Sequence, residues 1–250
     1  MNAQDLQSLP MIEVRELKKS FGPQEVLRDV SLSVRKAASL VVIGGSGCGK
    51  TVFLKILIGL MKPDSGQVFI EGQEISSLSE RELIPIRKRF GMVFQGSALF
   101  DSLTAAENVA FPLREHSGLS QDEIMRIVRE KLLLVGLDGV EGKYPAELSG
   151  GMRKRVALAR AIALNPEILL YDEPTTGLDP ATADATCDLI MKMQKTLNVT
   201  SVLVTHDMHS AFRIASTIAM LYEGRIIAEG SPEDFENSRD ERVMAFAGRQ

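Results

Sequence analysis

Apolar residues recur along this chain at two spacings, and the order in which the spacings alternate predicts a fold class. Short β-branched runs at Ile12 to Leu17, Val30 to Val34 and Leu40 to Ile43, with another bracketed by Gly66 and Gly72, predict a strand-rich N-terminal third. The middle changes character. Thr104 with Glu107, and Ser120 with Glu123, carry the Ser/Thr-x-x-Glu spacing that satisfies orphan amides at a helix start, so helices are expected to dominate from about Thr104 to Leu164. Asn165-Pro166 should end the last of them, because the residue before proline is pushed out of helical backbone. Ile168 to Tyr171 then runs straight into two acids, the pattern of a central parallel strand covered on both faces. Asp179-Pro180 predicts a helix cap with proline in the first turn, Ser201 to Thr205 another buried strand, and Ile218 to Ala228 a hairpin turning at Glu223-Gly224. The pattern is α/β with a helical insertion, without internal repeats or low-complexity segments.

Composition narrows the classes. The chain has 250 residues, 44% hydrophobic and 25% charged, and 29 Lys+Arg against 33 Asp+Glu give a net charge of −4. Those values fit a globular protein and exclude disordered and fibrous classes. They also argue against a dedicated nucleic-acid binder, whose affinity rests on an excess of cations. The longest uncharged stretch, Ala37 to Gly49, is far short of a bilayer span. Met1 to Pro10 shows no basic segment leading into an apolar run, so the expected compartment is the cytoplasm. Two cysteines, Cys48 and Cys187, suggest small buried or half-buried side chains and no disulfide framework.

The chemistry begins at Gly44-Gly45-Ser46-Gly47-Cys48-Gly49-Lys50-Thr51, which fits G-x-x-x-x-G-K-[ST] and lies between the strand Leu40 to Ile43 and an apolar helix expected from Val52 to Leu60. Glycines at these places let backbone amides close around phosphates, Lys50 neutralises them, and Thr51 offers a hydroxyl to Mg²⁺, with Val52 the next residue of the cradle. An apolar strand ending in Asp172 would place a carboxylate on the Mg²⁺ shell. Glu173, one residue on, stands where a carboxylate could polarise a water aimed at the γ-phosphate. Leu148-Ser149-Gly150-Gly151-Met152 opens a second helix, expected over Arg153 to Leu164, with a hydroxyl and two glycines at its positive end. One nucleotide does not need two such cradles.

Here the sequence resembles the ATP-binding-cassette (ABC) ATPases, over nearly its whole length. In that family an LSGGQ signature completes the nucleotide site of the opposite subunit. The resemblance implies a P-loop NTPase: a RecA-like core with an antiparallel β subdomain, from about 1–95 and 165–250, and an inserted helical subdomain from about 96–164. It implies ATP and Mg²⁺, a homodimer, and Ser149, Gly150 and Gly151 facing the partner's nucleotide. It further implies an adenine-stacking ring at Phe21, a Q-loop glutamine at Gln95 near the metal, the acid pair at Asp172 and Glu173, a D-loop aspartate at Asp179 and a switch histidine at His206. Phe21 and Met152 stand where Tyr and Gln are more frequent. The stretch Phe94 to Thr104, the segment Glu107-Asn108-Val109-Ala110-Phe111-Pro112-Leu113-Arg114-Glu115-His116, the LSGGM signature and the ending Asp240 to Phe246 are similar to the Mla-type ATPases of bacterial lipid transporters, which work with MCE proteins. That likeness implies phospholipid cargo, a permease docking near Gln95 to Phe111, an MCE-domain partner, a small STAS-type protein, and a peripheral place on the cytoplasmic face of the inner membrane. Rival readings are an amino-acid-type importer subunit and a non-transport regulatory ABC ATPase of the cell envelope.

Other residues invite plainer readings. Arg87-Lys88-Arg89 and Arg153-Lys154-Arg155 are expected on solvated helix faces, His116 and His209 lack partners at metal-site spacing, and Met191 and Met193 are expected in the core.

Overall fold

A computed structural model describes residues 9–248. Most of the segment read as free of a secretory signal, Met1 to Pro10, therefore lies outside the described residues. In chain order the elements are β1 (Ile12–Phe21), β2 (Gln24–Val34), β3 (Ser39–Ile43), α1 (Lys50–Leu57), β4 (Ser65–Ile70), β5 (Gln73–Glu74), α2 (Glu80–Arg87), β6 (Phe90–Val93), α3 (Ala105–His116), α4 (Gln121–Leu134), a 3₁₀ turn (Pro145–Glu147), α5 (Gly150–Ala161), β7 (Ile168–Asp172), α6 (Pro180–Leu197), β8 (Thr200–Thr205), α7 (Met208–Ile214), β9 (Thr217–Tyr222), β10 (Arg225–Gly230), α8 (Pro232–Glu236) and α9 (Glu241–Phe246). The chain folds as two compact units, one made of the segment up to Arg87 and the segment from Val199 onward, the other of Lys88–Asn198.

The first unit holds an antiparallel sheet in the order β2-β1-β4-β5. β1 and β2 run several residues beyond the predicted strands, because bulges interrupt the alternation that marks them. Glu16 (φ 50°) and Asp29 (φ 98°) adopt left-handed backbone, and the β1–β2 register shifts between Val14 and Leu17. Gly66 fits against the first bulge where a Cβ would lie 2.5 Å from the Glu16 carbonyl oxygen. β3 is buried at every position and pairs in parallel with both β8 and β9. Such two-sided burial is what an unbroken β-branched run predicts. β10 turns back antiparallel through Glu223 and Gly224, both at positive φ, the hairpin expected from sequence.

The second unit joins β6 and β7 in parallel, with Phe90 opposite Ile168 and Val93 opposite Tyr171. Both predicted capping boxes form: Thr104 with Glu107 starts α3 and Ser120 with Glu123 starts α4. Two helices begin and end earlier than expected. α1 covers Lys50–Leu57 rather than Val52 to Leu60, because Gly59 turns left-handed (φ 70°) past its end. α5 covers Gly150–Ala161 rather than Arg153 to Leu164: glycines begin it behind the Ser149 cap, and Ile162 leaves helical backbone ahead of Asn165-Pro166. Cys187 and Met193 are fully buried, while Cys48 and Met191 are half-buried. No described helix is long and apolar enough to cross a membrane.

Candidate functional site

In the first unit β3 delivers the chain into the Gly44–Thr51 loop. A Cβ on Gly44 would lie 2.4 Å from the Leu221 carbonyl oxygen, and Gly49 holds φ 106°, so both positions require glycine. Helix α1 opens from Gly49 without a side-chain cap and without an acid in its first turn. The positive end of the helix dipole at this start favours an anion. Lys50 is 6% exposed, and its Nζ donates to the carbonyls of Gly44 (2.8 Å) and Gly45 (3.1 Å), which folds the ammonium over the loop. A buried ammonium beside the positive end of a helix is a donor set that fits phosphate oxygens and disfavours a cationic ligand. Phe21 presents an open ring, 47% exposed, with the Lys19 ammonium 5.6 Å from its centroid. Thr51 and His206 are exposed; His206 follows the last residue of β8, ahead of the Asp207 cap of α7.

In the second unit β7 carries Asp172 and Glu173 into the interior at 5% and 8% exposure. Glu173 takes φ 49°, a left-handed conformation costing roughly 1 kcal/mol or more for a non-glycine residue and so held in place by its surroundings. Thr176 supplies part of that hold: its hydroxyl donates to Glu173 Oε2 (3.0 Å) and its amide to the Glu173 carbonyl (3.3 Å). Gln95 is exposed just beyond β6. The loop after it bends through Ser97 (φ 65°) and Ala98 (φ 45°), and Arg160 holds that bend by donating to the Ser97 and Ala98 carbonyls at 2.9 and 2.7 Å. Phe100 and Phe111 follow as a tilted ring pair 4.8 Å apart, 44% and 40% exposed. Asn108, fully buried, accepts from the Phe100 amide (2.8 Å) and donates to the carbonyls of Phe100, Leu103 and Thr104.

The signature segment keeps an anion-accepting shape. Ser149 caps α5 through the Met152 amide (3.2 Å), Gly150 and Gly151 follow, and no acid occupies the first turn. A Cβ on Gly151 would press on Thr182 Cγ2 at 3.0 Å, whereas Gly150 has room. Asp179 caps α6 by accepting from the Thr182 amide (3.1 Å) and hydroxyl (2.6 Å), contacts that hold its carboxyl below the usual aspartate range.

Sequence reasoning missed what the basic runs do, and the solvated-face reading is corrected by their contacts. Arg153 donates to the Leu148 carbonyl (2.6 Å), Arg155 to that of Val135 (2.9 Å), and Lys154 to those of Pro174 (2.6 Å) and Thr176 (3.0 Å). Arg87 reaches the Ile58 and Gly59 carbonyls and Glu80, while Arg89 lies past α2 and grips both oxygens of Glu167 at 2.8 Å. Arg153 is nonetheless exposed on α5 as expected, and Lys88 is exposed just past the end of α2. A signal was available, since three consecutive helical residues point about 100° apart and cannot share one wet face.

Residues 27–176 match the family model described as ABC transporter. The chain is 42% identical over 236 residues to the intermembrane phospholipid transport system ATP-binding protein MlaF of Haemophilus influenzae, covering 94% of this chain and 89% of that protein. It is 43% identical over 223 residues to the methionine import ATP-binding protein MetN of Brucella abortus, covering 89% of this chain and 60% of that one. Among solved structures, a dimeric ATP-binding cassette in a post-hydrolysis state bound to ADP and Pi matches with a TM-score of 0.81 at 33% identity, covering 89% of this chain and 99% of that one.

Proposed function

The chain belongs to the ABC transporter family and is an ATPase of its α/β P-loop type, using ATP with Mg²⁺, and we propose that it powers phospholipid movement as a homodimer on the cytoplasmic face of the inner membrane. The observation that carries the lipid reading is the 42% identity to a phospholipid-transport subunit across 94% of this chain and 89% of that one. The Phe94 to His116 segment and Met152 point the same way. A permease docks on the face around Phe100 and Phe111, with an MCE-domain protein and a small STAS-type protein in the same assembly. The equally high identity to a methionine importer subunit makes an amino-acid importer the second reading. Affinity purification from membranes separates the two: an MCE-domain protein with bound phospholipid is expected, and a solute-binding importer partner without phospholipid refutes the lipid reading.

The proposed division is a RecA-like core of about 1–95 and 165–250 with a helical subdomain of about 96–164. Gly44 to Val52 cradle the phosphates, Lys50 carries the opposing charge, and Phe21 stacks on the base. Thr51, Asp172 and Gln95 would hold Mg²⁺, which when bound neutralises phosphate charge. Glu173 takes the proton of the attacking water, and His206 contacts the terminal phosphate. Ser149, Gly150 and Gly151 of the second protomer close the site. Glu173→Gln is expected to bind ATP and hold a closed dimer while turnover falls by ~10² to 10⁴; near-normal hydrolysis removes Glu173 from this role.

A further inference from the structure

Lys154 lies on α5 four residues after Gly150, hence on the same side of the helix as the signature glycine. Its half-buried ammonium reaches back to a different segment, donating to the carbonyls of Pro174 at 2.6 Å and Thr176 at 3.0 Å, the two that bracket Thr175. The turn it holds begins at Glu173, whose left-handed backbone (φ 49°) must be imposed from outside, and whose Oε2 takes the Thr176 hydroxyl at 3.0 Å. One cation thus fixes both carbonyls of the peptide stretch that carries the hydroxyl holding the carboxylate. Its charge also attracts Glu173 directly, against the burial that pulls the ammonium's pKa down.

We propose that Lys154 is a positioning residue for ATP hydrolysis, tying the signature helix to the 174–176 turn and thereby placing the Glu173 carboxylate. The inference rests on Glu173 being the base. It adds a mechanical consequence: the residues offered to the partner's nucleotide and the base of a protomer's own site are fastened to one another, so dimer closure at one site is felt by the base of the other.

The test is Lys154→Met, which keeps the apolar stem and removes the donor, beside Lys154→Arg, which keeps the donor. In the purified transporter, kcat is expected to fall about tenfold or more in the Met variant, since small misplacements of a reacting group cost up to about 10². KM for ATP should stay near wild type in a variant still folded at the assay temperature, the melting temperature falling by several degrees as the Pro174 and Thr176 carbonyls lose their donor, and Lys154→Arg should recover most of the rate. The same Met change in a Glu173→Gln background should leave ATP-driven dimer closure unaltered. A Met variant with wild-type kcat overturns the proposal, as does one whose kcat falls only together with nucleotide affinity or closure. Normal turnover by Glu173→Gln alone overturns the base reading, and with it this route for Lys154; the Lys154 outcomes leave the base reading intact.

Discussion

Asn108→Ala should separate the face proposed for a permease from the chemistry of the site. Asn108 is fully buried and its carboxamide makes four hydrogen bonds to the 100–104 loop. Two of the groups it serves have a second bond, because the Phe100 carbonyl also accepts from the Leu103 amide and the Thr104 carbonyl from the Asn108 amide. The Phe100 amide and the Leu103 carbonyl lose their side-chain partner outright. At about 1 to 2 kcal/mol for each group left without a partner, the cost is about 2 to 4 kcal/mol. For a chain of this length that lowers Tm by roughly 4 to 16 °C. Asn108→Asp is a sharper control, because it keeps the acceptor for the Phe100 amide but turns a negative oxygen toward three carbonyls, and should be at least as damaging as alanine. Urea and thermal melts read the stability. ATP hydrolysis by the purified subunit at a temperature where both variants are folded should stay near wild type, while hydrolysis stimulated by the membrane partner should drop, since Phe100 loses its mounting beside Phe111. A stability change under about 0.5 kcal/mol, within the range of an ordinary surface substitution, refutes the reasoning.

Lys50→Ala should abolish ATPase activity while leaving circular dichroism and cooperative melting intact; an active variant removes the phosphate-loop assignment. Tyr171→Phe deletes a buried hydroxyl that has no hydrogen-bond partner among the described residues, and whose pKa burial pushes upward. Thermal melts should show stability unchanged or raised by about 1 kcal/mol, and a loss of that size would reveal a bond that matters. Mixing Lys50→Ala subunits with Ser149→Arg subunits should restore one complete site and with it nucleotide occlusion, as neither homodimer can; folded, associated mixed dimers that neither occlude nor hydrolyse ATP count against sites shared between protomers.

What was legible in the sequence was local. Gly44 to Thr51 carry the glycines and the lysine that mark the loop in eight consecutive letters, and the lysine folds back on it by six residues. The capping boxes at Thr104 and Ser120 close within three residues, and both formed as read. β1 and β2 were half hidden because left-handed residues at Glu16 and Asp29 shift the alternation that defines a strand. Lys154, Arg160 and Asn108 escaped for another reason. Lys154 and Arg160 bind backbone carbonyls 20 to 63 residues away, and a carbonyl leaves no letter in the sequence. Asn108 binds closer by, yet its partners are again main-chain atoms of the loop before it.

That difference bears on how function is distributed over the chain. Groups that meet the nucleotide, such as Lys50 and Glu173, are marked by residue types in fixed spacing because their chemistry demands those types. Groups that aim them need only a donor of suitable length, so a run such as Arg153-Lys154-Arg155 carries the same letters whether it grips the interior or faces water. What distinguishes the cases is the helix beneath it: α5 continues into Val156, Ala157, Leu158 and Ala159, all buried. A helix apolar on every side for a full turn is enclosed, and cations entering it must find acceptors within reach or remain uncompensated. The enclosure of α5 therefore predicts tethers in its first two turns, and the Lys154 contacts to the turn after Glu173 follow from where those acceptors lie.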